Sequence, residues 1–214
     1  MGKNLLIAFL FLIVLTVIGC EQRDGSGVIV YSPEGKGIKS EYNGIYYDKP
    51  AYNFCLKTQE NGREKTLCLK DMLREKDIVL LFFGYTHCPD VCPAAMYVLQ
   101  KTVNKLDKEA RNRVQVVFIS VDPERDTPDK VSQYAEYFNE DFIGLTGTPE
   151  EIKQVAKAYK VFYQKVKNDG SEGYLVDHTA LIYLITKDEK IKLIYSVSKQ
   201  KPELMAKDIK KLLD

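Results

Sequence analysis

Tryptophan is absent from this 214-residue chain, histidine occurs twice, and no block of like charge stands out. Without tryptophan there is no indole platform for recognition. With 31 basic and 30 acidic residues the formal charge is +1, so nothing points to a nucleic-acid surface. Internal repeats and low-complexity tracts are missing as well, which removes solenoids and arrays. The apolar run over residues 5–18 is too short to span a bilayer comfortably. What remains is 45% hydrophobic residues, enough for one good core of single-domain size.

One stretch departs from that plain background. Residues 78–93 read IVLLFFGYTHCPDVCP. Six consecutive apolar residues, with charge before them and Gly84 after, predict a fully buried strand over 78–83. Ala95, Val98, Leu99, Thr102, Val103 and Leu106 share one stripe and predict a helix over 94–106. Cys88 and Cys92 then lie on the turn between a central strand and a helix N-terminus. Free N–H groups and the positive end of the helix dipole stabilise anions there, and a thiolate is an anion. Such placement lowers a cysteine pKa from about 8.5 toward that of a working nucleophile or metal ligand.

The chain opens on a targeting segment, residues 1–19, with Lys3 as a minimal positive region ahead of the apolar run. It ends in Val17-Ile18-Gly19-Cys20, which resembles a bacterial lipobox, so Cys20 is the expected lipidation site. The alternative is an uncleaved signal anchor with an incidental cysteine. Either way the rest of the chain is exported and tethered at the cell membrane, facing the periplasm or outer side. Residues 20–41 then have a linker composition, and about 20 flexible residues reach roughly 25 Å. A partly ordered arm, especially from Ile38 onward, is the competing reading. The folded domain is expected over residues 42–214.

Residues 51–69 predict a β-hairpin around Asn61-Gly62. Cys55 and Cys68 would then face each other on a non-hydrogen-bonded rung, where side chains approach most closely. A disulfide is sterically reasonable there, and export makes it chemically plausible. Two buried thiols, or a register slipped by one residue, are the alternatives. Further on, 114–121 predicts a second interior strand. Thr127 as N-cap and Pro128 at the first position start a helix over 129–139. A short strand (142–145), a helix (149–159), strands at 161–166, 179–186 and 191–197, and a closing helix over Pro202–Leu213 complete an α/β domain with a mixed sheet.

Five cysteines thus divide into one for lipid, two for the hairpin and two for a site. A Cys-x-x-x-Cys pair on one helix face can converge on an ion or close a disulfide. The pair alone does not choose between redox and metal chemistry. His87 precedes Cys88 directly, so its ring is expected to point away from the sulfurs. His178 stands just before an apolar strand, a place where histidine is more often structural than a ligand.

The segments GYTHCPDVCP (84–93), SVDPERDTP (120–128) and VDHTALIYLI (176–185) change that balance. Together, and in that order, they resemble the SCO/SenC family, and the likeness extends from about Ala51 to the C-terminus. The resemblance implies a thioredoxin-like fold, a mixed sheet flanked by helices with an N-terminal β-hairpin. It implies a role in assembling the dinuclear copper centre (CuA) on subunit II of cytochrome c oxidase. It also implies copper binding by Cys88, Cys92 and His178, as Cu(I) or Cu(II), and a Cys88–Cys92 disulfide in the oxidised form. The segment 122–128 is read as shaping a loop and a helix start.

Thioredoxin-like oxidoreductases usually place a cis-proline opposite the cysteine pair. Here Asp177-His178-Thr179 occupies what looks like that position, and no proline lies between Pro149 and Pro202. An imidazole there supplies a nitrogen donor instead of a substrate-docking element. Two thiolates and one imidazole suit soft Cu(I), and Cu(II) could take the same set plus another ligand. Structural zinc prefers four protein ligands and only three convincing ones exist, so zinc is disfavoured, although Asp90 or a water could complete such a site. The competing functions are a thiol–disulfide reductase for exported partners and, behind it, a redox sensor or peroxide-handling protein of the same fold.

Overall fold

The computed structural model describes residues 29–31, 37–39, 41–167 and 173–214. Residues 1–19, the expected targeting segment, lie outside the described residues, and so does Cys20. Among the described residues no helix is long and apolar enough to cross a membrane.

Within the expected linker, β1 (Ile29–Tyr31) and β2 (Gly37–Lys39) pair antiparallel. β3 (Ile45–Pro50) follows and was not anticipated. Its second half, Asp48-Lys49-Pro50, is made of residues depleted in strands, and proline is tolerated because β3 is an edge. β4 (Cys55–Glu60) and β5 (Arg63–Cys68) form the expected hairpin. Asn61 and Gly62 both take positive φ, 51° and 73°, as a two-residue type I′ turn requires. Cys55 faces Cys68 in the register, and a disulfide joins them. The short helix α1 (Leu69–Glu75) comes next, burying Leu69, Met72 and Leu73.

β6 (Ile78–Gly84) is buried at every position, which is why it reads as an unbroken apolar run. α2 (Val91–Asn104) and the one-turn α3 (Lys108–Asn112) lead to β7 (Val114–Ser120), which runs parallel to β6. α4 (Pro128–Phe138) starts as expected, with the Thr127 hydroxyl accepting from the Lys130 N–H. β8 (Ile143–Leu145) extends the sheet. α5 (Pro149–Ala158) begins with a reciprocal capping box between Thr148 and Glu151.

The next segment departs from expectation. β9 (Tyr163–Lys167) pairs with β10 (Tyr174–His178), a strand the sequence pattern did not reveal. Only Val176 of β10 is buried, so no two-residue alternation marks it. β11 (Ile182–Thr186) starts three residues later than expected, β12 (Lys190–Tyr195) follows, and α6 (Pro202–Leu213) closes the chain.

The main sheet has the order β3-β12-β11-β6-β7-β8, with β6, β7 and β8 parallel and the other pairings antiparallel. β4–β5 and β9–β10 are separate two-stranded ribbons. Register places Phe82 of β6 beside Ile182 of β11. The end of β6 and the approach to β11 therefore lie together, and the two halves of the site meet there.

Candidate metal centre

At the end of β6 the chain turns through residues 85–90 and enters α2. Gly84 is needed at this bend for space. A Cβ there would meet the Cys92 sulfur and the Phe118 ring, each at 2.8 Å. Asp90 is the helix N-cap residue, yet its side chain makes no capping bond. Instead the Cys92 N–H, in the first turn, donates to the Cys88 sulfur at 3.4 Å. An orphan donor of the helix start is thus satisfied by a sulfur, which favours that sulfur as an anion. Cys88 precedes the helix rather than sharing a face with Cys92, a correction to the expected i, i+4 geometry. A turn, closed by the Cys88 N–H on the Tyr85 carbonyl, brings it round.

The two sulfurs are unlike. Both cysteines are free; Cys88 is partly exposed and Cys92 fully buried. The Cys88 pKa is lowered to about 3, chiefly by the hydrogen bond from Cys92, with further help from His178 and backbone N–H groups against the cost of burial. Burial pushes the Cys92 thiol far up, reinforced by its bond to Cys88 and by the charge there. The metal-free pair is therefore asymmetric: its surroundings favour Cys88 as the thiolate and Cys92 as the thiol.

His178 ends β10 and puts Nε2 3.1 Å from the Cys92 sulfur. Its Nδ1 lies 3.2 Å from the Thr179 carbonyl. A carbonyl only accepts, so Nδ1 donates there and Nε2 is the ring nitrogen left facing the sulfurs. Phe82 and Tyr85 meet the imidazole edge to face, with ring centroids 6.1 and 5.9 Å away. The ligand atoms of Cys88, Cys92 and His178 all lie within 4.8 Å of one another. Among the described residues this is the one group of three such side chains placed to hold a metal. The set is S, S, N, a soft combination.

His87 stands apart. Its Nδ1 lies 3.0 Å from the Thr86 hydroxyl and 3.6 Å from Asp126, and its ring is half exposed. Asp90 is exposed and outside the group. Cys55 and Cys68 are engaged in their own disulfide.

The loop after β7 has a larger part than shaping a helix start. Asp126 is fully buried and accepts from the Thr86 N–H (2.9 Å), the Thr86 hydroxyl (2.6 Å) and the Ser120 hydroxyl (2.6 Å). It thereby fixes the backbone two residues before Cys88. Asp122, also buried, turns the other way and accepts from the Tyr174 phenol on β10 at 2.7 Å. The signal was present in the sequence: two carboxylates directly after a buried strand must be satisfied by specific donors.

Residues 69–214 match the family model described as SCO1/SenC. A human protein, "Protein SCO1 homolog, mitochondrial", is 40% identical over 150 residues, 70% of this chain and 48% of that protein. The chain spans about half the length, or less, of the curated relatives it matches. The solution structure of apo Sco1 from Thermus thermophilus shares 37% identity at a TM-score of 0.70, covering 80% of this chain and 96% of that one. The copper-bound crystal structure of Arabidopsis thaliana ScoI shares 35% at 0.67, covering 77% and 98%. The architecture is the thioredoxin-like mixed α/β fold of those Sco structures.

Proposed function

The chain belongs to the SCO1/SenC family, and from that premise we propose that it is a copper metallochaperone. Cys88, Cys92 and His178 bind the ion, as Cu(I) or Cu(II), and deliver it to the CuA centre of cytochrome c oxidase subunit II. The observation that carries the reading is the convergence of two sulfurs and one imidazole nitrogen within 4.8 Å, with Nε2 the nitrogen that faces the sulfurs. The copper-bound relative supports the choice of metal, as does the softness of the donor set. In this reading residues 1–19 are a signal peptide and Cys20 carries a lipid. Residues 20–41 tether the domain, 42–214, to the cell membrane on its periplasmic or outer side.

Copper is cargo. Thiolate ligation requires both sulfurs deprotonated, so loading releases protons to solvent, and the surroundings already favour Cys88 as a thiolate. The partly exposed Cys88 sulfur is the atom an incoming partner ligand meets, and the ion passes through a state shared by donor and acceptor. Exchange with a partner disulfide oxidises Cys88 and Cys92 to a disulfide and reduces the partner to two thiols. That removes both thiolates from the site and empties it.

The test uses the full chain, reduced and held in detergent micelles, titrated with Cu(I) against a chromophoric chelator. One Cu(I) per chain is expected, and His178→Ala should weaken binding about 100-fold. Copper binding unaffected by that change overturns the three-ligand site. The sulfur asymmetry favours a second reading, a thiol–disulfide reductase acting on exported partners through an exposed thiolate. Rapid disulfide reduction that survives His178→Ala would establish it instead.

A further inference from the structure

His178 sits on a strand that the main sheet does not hold. β9–β10 is a two-stranded ribbon with its own register, and isolated ribbons of that size are marginal in water. At its base the Thr179 N–H donates to the Phe162 carbonyl at 2.9 Å, and the Phe162 N–H donates to the Thr179 hydroxyl at 3.0 Å. Those bonds join the two strands to each other and leave open what fixes the ribbon against the domain.

Tyr85 hydrogen-bonds the Val176 backbone and Val176 is buried; a second grip is on Tyr174, the first residue of β10 and four before His178. Arg125 Nη1 donates to the Tyr174 carbonyl at 2.9 Å, and the guanidinium lies 3.8 Å from the centre of the Tyr174 ring. The Tyr174 phenol donates to Asp122 Oδ1, and Arg125 Nε donates to Asp122 Oδ2. Backbone, ring face and hydroxyl of one residue are thus held by two side chains of the β7–α4 loop. Arg125 is also 5.8 Å from the centre of the Tyr85 ring, which packs on the His178 imidazole. Its remaining nitrogen, Nη2, is enclosed without a hydrogen-bond partner. A lysine offers neither the planar fork nor the stacking face that this arrangement uses. The same loop, through Asp126, holds Thr86 beside the cysteine turn.

The geometry points to Arg125 as a positioning residue for the metal site. It hydrogen-bonds Asp122 and Tyr174 rather than any of the three ligand side chains, yet it holds β10 in the arrangement that turns His178 Nε2 toward the sulfurs. The inference rests on the copper-binding reading above for its consequence, and on the ribbon geometry for its cause.

Five full chains in detergent micelles test it: wild type, Arg125→Ala, Arg125→Lys, His178→Ala and the double variant Arg125→Ala with His178→Ala. In the metal-free state Arg125→Ala should speed amide hydrogen exchange at residues 174–178 while leaving β6 protected. With Cu(I) against a chelator it should weaken binding about tenfold. That loss should vanish when His178 is already alanine, because Arg125 acts through His178. Arg125→Lys should recover part of the affinity. Unchanged exchange at 174–178 overturns the inference, and so does a tenfold loss that persists in the His178→Ala background. If the wild type holds no copper, the proposed function fails, and the exchange measurement on metal-free protein still decides the clamp.

Discussion

The two ribbons outside the main sheet are secured by opposite means. β4–β5 has a tight Asn61-Gly62 turn and a covalent staple between Cys55 and Cys68. It is also tied to the segment after β8 by a reciprocal backbone pair, Lys57 N–H to Thr146 O at 2.7 Å and Thr146 N–H to Lys57 O at 2.8 Å. β9–β10 has no disulfide among the described residues and is held by side-chain contacts, the polar grip of Asp122 and Arg125 on Tyr174 among them. The stapled ribbon carries no ligand; the clamped one carries His178. A disulfide opens only by exchange with a thiol, whereas hydrogen bonds and a stacked cation open by thermal fluctuation within a few kcal/mol. In the proposed function, a nitrogen ligand on the second kind of ribbon would leave the site able to release its ion.

The largest effect should come from cutting the staple. Replacing both Cys55 and Cys68 by serine frees a loop whose ends are 13 residues apart, and a loop of that size corresponds to about 3 kcal/mol. Denaturant melts of the metal-free chain measure it. Copper affinity should stay within twofold of wild type, since the hairpin contributes no ligand. A large affinity loss would show that the two ribbons are coupled after all.

Acidity separates the same two regions by a slope in pH, where the staple sets an offset. The hairpin cysteines are bonded and do not titrate, whereas Cys88 has its pKa lowered from 9.0 to about 3. Between those values the unfolded chain carries a proton on Cys88 that the native chain lacks. Its contribution is therefore complete above about pH 9, shrinks as pH falls, and is gone below about pH 3. Stability of the metal-free chain should accordingly rise with pH across that window, and Cys88→Ser should flatten the rise. Substituting the hairpin pair should lower the whole curve without altering its slope. A slope unaffected by Cys88→Ser would mean that the charge resides elsewhere in the pair.

The same contrast explains what could be read from residues alone. The hairpin was legible because its information is local: a two-residue turn sets the register, and the register sets the cysteines opposite each other. β6 and β7 were legible because burial on both faces writes a continuous apolar run. The sulfur pair announced itself by its place at a strand-to-helix turn. β10 was missed because a ribbon resting on loop side chains needs no alternation, and its anchor, Tyr174 on Asp122 and Arg125, spans about fifty positions in the chain. Pattern alone left His178 as a structural residue, and only its resemblance to a family motif argued otherwise. β3 was missed for a related reason: an edge strand can spend half its length on Asp48, Lys49 and Pro50.

The smallest effect should come from a neighbour of the clamp that looks similar on a contact diagram. Lys165 on β9 pairs with Glu124 at 2.6 Å, and its ammonium lies 4.6 Å from the centre of the Tyr174 ring. It thus joins ribbon to loop, as Arg125 does. Yet both partners are about half exposed, at 47% and 60%, so water screens the pair and both long side chains lose entropy to form it. Arg125, by contrast, is largely enclosed and donates to a backbone carbonyl. Glu124→Ala should therefore leave the melting midpoint, exchange at 174–178 and Cu(I) affinity unchanged within error at physiological salt. Were it to loosen β10 as much as Arg125→Ala, the ribbon would be held by net charge across the loop, and the planar geometry of the guanidinium would be incidental.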